Sequence, residues 1–273
     1  MSQPRVHIHT SSPDAFFVNS FIIEGDRSLV LVDTQFVLSE ANALLDKIGQ
    51  LEKPLASIII THPHPDHYNG LATVLAKYPG TAVHATAATI AGIHETAEPK
   101  RAYWTPIVGD NYPQSFTYPD VTIVDGQHLT IDDIDIQIFD LGAAECSDNT
   151  MIALPQIDAV IVSDLVYNHV HPWLAEGRTL KWLEALDLAK QRFAGASTFF
   201  AGHGPVGTIE MIDNQATYIT TVRELVASKL KTEESLSEKG KMEVLDRIRN
   251  LYPHWPLEMI IDMNIAALAA ELA

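Results

Sequence analysis

The chain has 273 residues, 47% hydrophobic and 19% charged, with a mean hydropathy of +0.05, which suits one large globular domain or two small ones and excludes disorder, collagen and coiled coil. At this length folding buries roughly 70–75% of the unfolded surface, so a full core needs neither disulfides nor a structural metal. With 18 Lys and Arg against 35 Asp and Glu the net charge is −17, a field that repels polyanions and argues against a nucleic-acid partner.

The lone Cys146 cannot make an intrachain disulfide, and the first residues lack the apolar run of a signal peptide. No stretch approaches the ~18 apolar residues of a membrane span. These features together predict a cytoplasmic protein without a membrane partner.

In chain order, Phe16 to Ile23 and Ser28 to Val32 flank a polar Glu-Gly-Asp-Arg turn and predict a hairpin. Ser39 is placed as the N-cap of a helix to about Leu51, with Leu44, Leu45, Ile48 and Leu51 on one face. A buried strand over Ser57 to Thr61, a helix over Leu71 to Tyr78 and a short strand at Ala82 to His84 follow. Residues 98–119, rich in proline and aromatics, read as a long functional loop. Strands are then expected at Val121 to Val124, Leu129 to Ile131, Ile134 to Ile138, Thr150 to Leu154 and Ala159 to Val162. A helix over Thr179 to Arg192 and a strand at Thr198 to Ala201 precede helices at about Ile209 to Leu230, Met242 to Leu251 and Leu257 to Leu272, with 231–241 a solvated connection. Strands with helices in both halves predict two sheets face to face with helices outside, an α+β arrangement.

Residues 61–70 read Thr-His-Pro-His-Pro-Asp-His-Tyr-Asn-Gly, after a buried strand and before a helix. Each proline biases its predecessor toward extended backbone, so the imidazoles of His62 and His64, two positions apart, point the same way. Asp66 and His67 fall in the turn into the helix and can face the same point from the other side. Three histidines and a carboxylate converging on one point suit a borderline cation such as zinc, with room for a second ion.

This motif in this setting resembles the metallo-beta-lactamase superfamily, over roughly Phe16 to Gly207. The resemblance implies a four-layer αββα sandwich of α+β class and a site built in the family's order. Asp33 is similar to the acidic residue that supports the site from behind, Asp164 to the carboxylate bridging two metals, and His203 to the last histidine ligand. It implies a core over 1–208 with a C-terminal helical extension over 209–273 packed on it as one structural domain. It also implies two divalent metal ions, zinc foremost, with iron or manganese as alternatives.

One position departs from the family. No histidine lies between His128 and His169, where members normally supply a third histidine to the first metal. One family pattern aligns Glu145 with that histidine; the commoner pattern aligns Ala143 and leaves a ligand missing. Glu145 is favoured, because a carboxylate can replace imidazole on zinc. Two dications would then carry +4 against −3 from Asp66, Asp164 and Glu145, which makes the bound water less acidic and favours harder ions.

The implied assignment is His62, His64 and Glu145 on the first metal, Asp66, His67 and His203 on the second, and Asp164 between them, with Asp66 also orienting the nucleophile or shuttling its proton. His169 and His171, just after Asp164, are placed at the substrate. His7 and His9, alternating on a terminal strand, are expected to be exposed, and Cys146 to be a small buried residue rather than a ligand. The implied activity is a metal-dependent hydrolase that uses a metal-bound hydroxide on a small ester, lactone, thioester or lactam. The alternatives are an iron-dependent oxidoreductase of the same fold acting on sulfur substrates, and a non-catalytic binding protein. The partner is a small molecule, with a homo-oligomer as a further option through the apolar stripes of the C-terminal helices.

Overall fold

The computed structural model describes residues 3–231 and 235–273. The chain begins with β1 (Arg5–Thr10), β2 (Asn19–Glu24), β3 (Leu29–Val32), α1 (Leu38–Gln50), β4 (Leu55–Ile59), the short α2 (Pro65–Tyr68) and α3 (Leu71–Lys77). Next come β5 (Ala82–Thr86), α4 (Ala87–Val108), β6 (Val121–Ile123), β7 (His128–Ile131), β8 (Ile134–Asp140) and β9 (Thr150–Leu154). The remainder is β10 (Ala159–Tyr167), α5 (Thr179–Arg192), β11 (Thr198–His203), α6 (Glu210–Leu230), α7 (Glu238–Leu251) and α8 (Ile261–Leu272).

Strand alternation builds the layers. One sheet runs β1-β2-β3-β4-β5-β6 and the other β11-β10-β9-β8-β7. Phe21, Ile23, Val30 and Val32 turn toward Ile134, Ile136, Ile138, Ile152 and Ile161 of the opposing sheet, forming a dry middle layer. Their neighbours Ile22, Leu29 and Leu31 face the other way, onto Leu44 and Ile48 of α1, Val74 of α3 and Ile93 and Ala97 of α4. Outside the second sheet, Val160, Val162 and Phe199 pack on Trp182 of α5, Tyr218 and Val222 of α6, Ile248 of α7 and Ile265 and Leu268 of α8. Two sheets with helices on both outer faces make the αββα sandwich, and residues beyond 208 share the second outer core.

Four expectations change. Helix α1 begins at Leu38 with Val37 as its cap, so Ser39 lies inside its first turn and does not cap it. The long loop over 98–119 is helical to Val108, because Pro99 and Pro106 both fall on the solvent face of α4. Seven residues apart they share a side of the helix, where the carbonyls deprived of a donor reach water. The connection over 231–241 lies partly on residues 232–234, outside the described residues, and its end is already α7, whose Ser237 side chain accepts from Gly240 N at 3.0 Å. His7 and His9 do alternate on β1, but they are half-buried: His7 Nε2 meets Glu24 at 2.7 Å and His9 Nε2 lies 3.4 Å from Glu40. Among the described residues no helix is long and apolar enough to cross a membrane.

Candidate metal centre

The centre lies where strands of both sheets end at one edge of the sandwich. β4 leads into Thr61 and His62, β10 carries Asp164, β11 ends on His203, and the β8–β9 connection brings Glu145. The two sheets are joined here by Thr150 N donating to Thr61 O at 3.0 Å. β10 is irregular at Ser163, whose φ of 46° breaks the register with β11 and re-aims the following carboxylate. Gly202 makes room for it, since a Cβ there would lie 1.8 Å from Asp164 Oδ1.

His62, His64, Glu145 and Cys146 form one group whose ligand atoms all lie within 4.8 Å of one another, and Asp66, His67, Asp164 and His203 form a second that meets the same limit. His64 Nδ1 is 3.3 Å from Glu145 Oε2. His203 Nε2 is 3.3 Å from both Asp66 Oδ2 and Asp164 Oδ2, and His67 Nε2 is 3.3 Å from Asp164 Oδ1. His62 Nε2 is 3.6 Å from Asp164 Oδ2, so Asp164 stands between the groups.

Each inward nitrogen is aimed by a hydrogen bond at its opposite ring edge. Asp33 Oδ2 accepts from His67 Nδ1 at 2.8 Å, and Phe16 O accepts from His203 Nδ1 at 2.8 Å. Thr61 Oγ1 gives its proton to Asp33 Oδ2 at 2.8 Å and so accepts from His62 Nδ1 at 3.0 Å. Asp33 thus supports the centre from behind and also accepts from Thr61 N at 2.9 Å. Such partners fix tautomer and ring orientation and leave Nε2 free to donate its lone pair.

The inward atoms are otherwise unsatisfied. His62 Nε2, His67 Nε2, His203 Nε2, Glu145 Oε2 and Asp164 Oδ1 are buried without a hydrogen-bond partner. One such atom costs ~1–3 kcal/mol, so five in one place call for a common partner. Nitrogen and carboxylate lone pairs converging without hydrogen-bond geometry fit divalent cations.

Protonation shows the same demand for positive charge. Burial opposes a charge on His203, yet Asp164 and Asp66 push its pKa up to about 10, and His67 is raised against burial by Asp164 and Asp33. Burial would raise Asp66 and Asp164, but the neighbouring His67 and His203 hold both carboxyls below the usual range. His62 moves the other way, lowered by burial and by His67. Burial pushes Glu145 up to about 8, with His64 pulling it back. Burial disfavours charge on His64, which Glu145 and Glu176 nevertheless raise.

The sequence pattern of the metallo-beta-lactamase superfamily matches residues 13–203. The chain belongs to this superfamily. It is 27% identical over 211 residues to the metallo-beta-lactamase type 2 of Bacillus cereus, covering 74% of this chain and 75% of that one. The structure of a metallo-beta-lactamase from Pontibacter korlensis superposes with a TM-score of 0.63 at 21% identity, covering 81% of this chain and 96% of that one. A double mutant of the sec-alkyl sulfatase PisA1 superposes with a TM-score of 0.64 at 18% identity, covering 98% of this chain but 49% of its own. Superfamily membership supports a metal-dependent hydrolase.

Within the superfamily frame, the structure gathers His62, His64, Asp66, His67, Glu145, Asp164 and His203 and places Asp33 behind them. Glu145 is 1% exposed and turned into the first group, whereas Ala143, the other position weighed for the missing histidine, has no donor to offer. Cys146 is buried as expected, its thiol donating to Asp148 O at 3.1 Å. His171 requires correction as a substrate contact. Its ring is fully buried, with Nδ1 2.8 Å from the Tyr218 hydroxyl and Trp255 packed beside it. His169 is exposed, its ring 5.6 Å from that of Trp255.

Two residues escaped the sequence reading. Tyr167 stacks flat on His203, at 4.6 Å and 2°, and its hydroxyl donates to Asp164 Oδ2 at 2.6 Å and reaches Glu145 Oε1 at 3.4 Å. Its place three residues after Asp164, near the end of the same strand, was a usable signal. Glu176 Oε1, 3.4 Å from His64 Nε2, comes from an irregular segment whose sequence gives no cue.

Proposed function

We propose that this chain is a dinuclear metallohydrolase acting on small esters, lactones, thioesters or lactams, with zinc as the foremost ion. The convergence of five unpartnered buried ligand atoms in two adjoining groups carries this reading. In it, His62, His64 and Glu145 hold the first ion, Asp66, His67 and His203 the second, and Asp164 bridges. When bound, the cations supply a water acidified toward neutral pH and polarise the scissile carbonyl.

The chain's own groups orient water and ligands. Asp66 is the most accessible side chain of the second group, 16% exposed against 2% or less for Asp164 and His203, which suits it to orient the attacking water. Burial and Asp164 raise the Tyr167 phenol well above its usual range, so it stays protonated and holds the Asp164 carboxylate in place through its single O–H. Asp33 and Thr61 keep the rings of His67 and His62 from turning.

A second substrate class, alkyl sulfate esters, is favoured by the sulfatase likeness, whose 98% coverage extends over the C-terminal helices. Elemental analysis after metal loading should give close to two ions per chain, and the loaded protein should turn over members of an ester, lactone, thioester, lactam and alkyl sulfate panel. One ion or fewer, unchanged by Asp66→Ala, would sink the dinuclear assignment. Turnover of the alkyl sulfates alone would decide for the second class.

A further inference from the structure

A groove of about 410 Å³ is lined by Pro13, Phe17, Trp255, Pro256, Leu257 and Met259. Both of its walls are tied to His203. On one side Phe16 O accepts from His203 Nδ1 at 2.8 Å, and Phe17 is the next residue. On the other, Asn168 N donates to His203 O at 2.9 Å, and the adjacent His169 sets its ring against Trp255.

The groove's shape is held at a conformational cost. Phe16, Phe17, His169, His254 and Leu257 all have left-handed backbone, with φ of 70°, 58°, 57°, 67° and 68°. Such positions cost of order 1–3 kcal/mol each and persist only where the surroundings enforce them. The enforcing contacts are visible: Ser11 Oγ accepts from Val18 N at 2.9 Å and donates to Ala15 O at 2.7 Å, and His171 N donates to Pro256 O at 3.1 Å.

The occupant follows from lining and size. Phe17 and Trp255 are half-buried and Met259 is 65% exposed, leaving apolar surface in water at the groove's lip. Asp14 and Glu258, which line the groove together with His254, disfavour an anionic tail. The volume falls in the ~300–1,000 Å³ of small-molecule sites, whereas a stable pairing of chains needs ~800 Å² on each partner.

We propose that this groove receives the neutral apolar tail of an amphiphilic substrate, a medium-chain acyl or alkyl compound whose scissile group sits among His62, Asp66, Asp164 and His203. This rests on the hydrolase reading above and adds which substrates it takes.

On metal-loaded protein, kcat/KM for p-nitrophenyl esters from acetate to decanoate should rise roughly two- to fourfold per methylene over the first carbons. Met259→Glu, at an exposed position that tolerates charge, should cut the decanoate value at least about tenfold more than the acetate value. In a measurement that needs no turnover, 2-octanone should give a saturable change in tryptophan emission that 2-butanone does not give and that Trp255→Phe removes. An unaltered chain-length slope in Met259→Glu overturns the assignment, as does a 2-octanone response that is absent or independent of Trp255. A dimer that Met259→Glu dissociates, with the slope unchanged, makes the face an interface between copies and also overturns it. If no ester is hydrolysed while 2-octanone still binds through Trp255, the hydrolase reading fails and the groove stands.

Discussion

In the proposed assignment Glu145 sets what kind of superfamily centre this is. As a ligand in place of a third imidazole, its carboxylate would lower the charge of the loaded site by one unit, make the bound water less acidic and favour harder ions. It is buried at 1% exposure, with Oε2 3.3 Å from His64 Nδ1 and Oε1 3.4 Å from the Tyr167 hydroxyl. Glu145→Ala should lose one ion per chain on dialysis and lower turnover by at least about 100-fold, since truncating even an outer partner of a metal ligand costs ~10–100-fold. Glu145→His should keep the ion, restore a unit of positive charge and move the acidic limb of the pH-rate profile downward. Elemental analysis and pH-rate profiles of these two variants and Ala143→His check this. Unchanged metal content in Glu145→Ala, with a gain in Ala143→His, would remove Glu145 from the site. The departure was legible because a missing histidine is visible in a string of letters. For Tyr167 the position on the strand of Asp164 was legible but its flat stack on His203 was not, and Glu176 depends on the path of an irregular segment.

At the scale of elements, the turn carrying Glu145 is only as firm as its attachment to α4. Asp148 Oδ2 accepts from Thr89 Oγ1 at 2.7 Å and from Thr86 Oγ1, and Thr86 also caps α4 by accepting from Thr89 N at 3.0 Å. Both hydroxyls and the carboxylate are buried, so removing the acceptor strands two donors. Asp148→Ala should therefore cost about 1–3 kcal/mol in urea unfolding and release metal more readily, with Asp148→Asn intermediate. A variant destabilised to that extent but holding metal as tightly as the parent would show that the turn does not depend on α4. This junction was hidden in the sequence because α4 itself was hidden. Pro99 and Pro106 signal a loop to any local rule, and only the knowledge that both face water makes a helix of 87–108 acceptable. The strands around it were easier: Ile134 to Ile138 alternates every second residue and is found in β8 with Ile134, Ile136 and Ile138 turned inward.

Over the whole molecule, the αββα architecture could be read from strand and helix succession, but the way the C-terminal helices close on the core could not. That closure centres on His171, whose Nδ1 bonds the Tyr218 hydroxyl of α6 and whose ring lies 5.8 Å from Trp255, itself stacked on Tyr218 at 9°. Burial pushes His171 down to about 4, with Glu258 pulling it up and Arg249 pushing it further down. In the unfolded chain the same ring titrates near ~6.5. Between these values the unfolded state binds the extra proton, so this group's contribution is complete above about 6.5 and is lost as pH falls toward about 4. The slope approaches ~1.4 kcal/mol per pH unit when one full proton separates the states. His171→Gln keeps a partner for Tyr218 but cannot titrate. In metal-stripped protein, urea unfolding at pH 7, 6 and 5 should show the parent losing stability faster toward acid than His171→Gln, by close to one proton. Parallel pH dependence in the two proteins would mean that His171 is not what makes the helical face acid-sensitive.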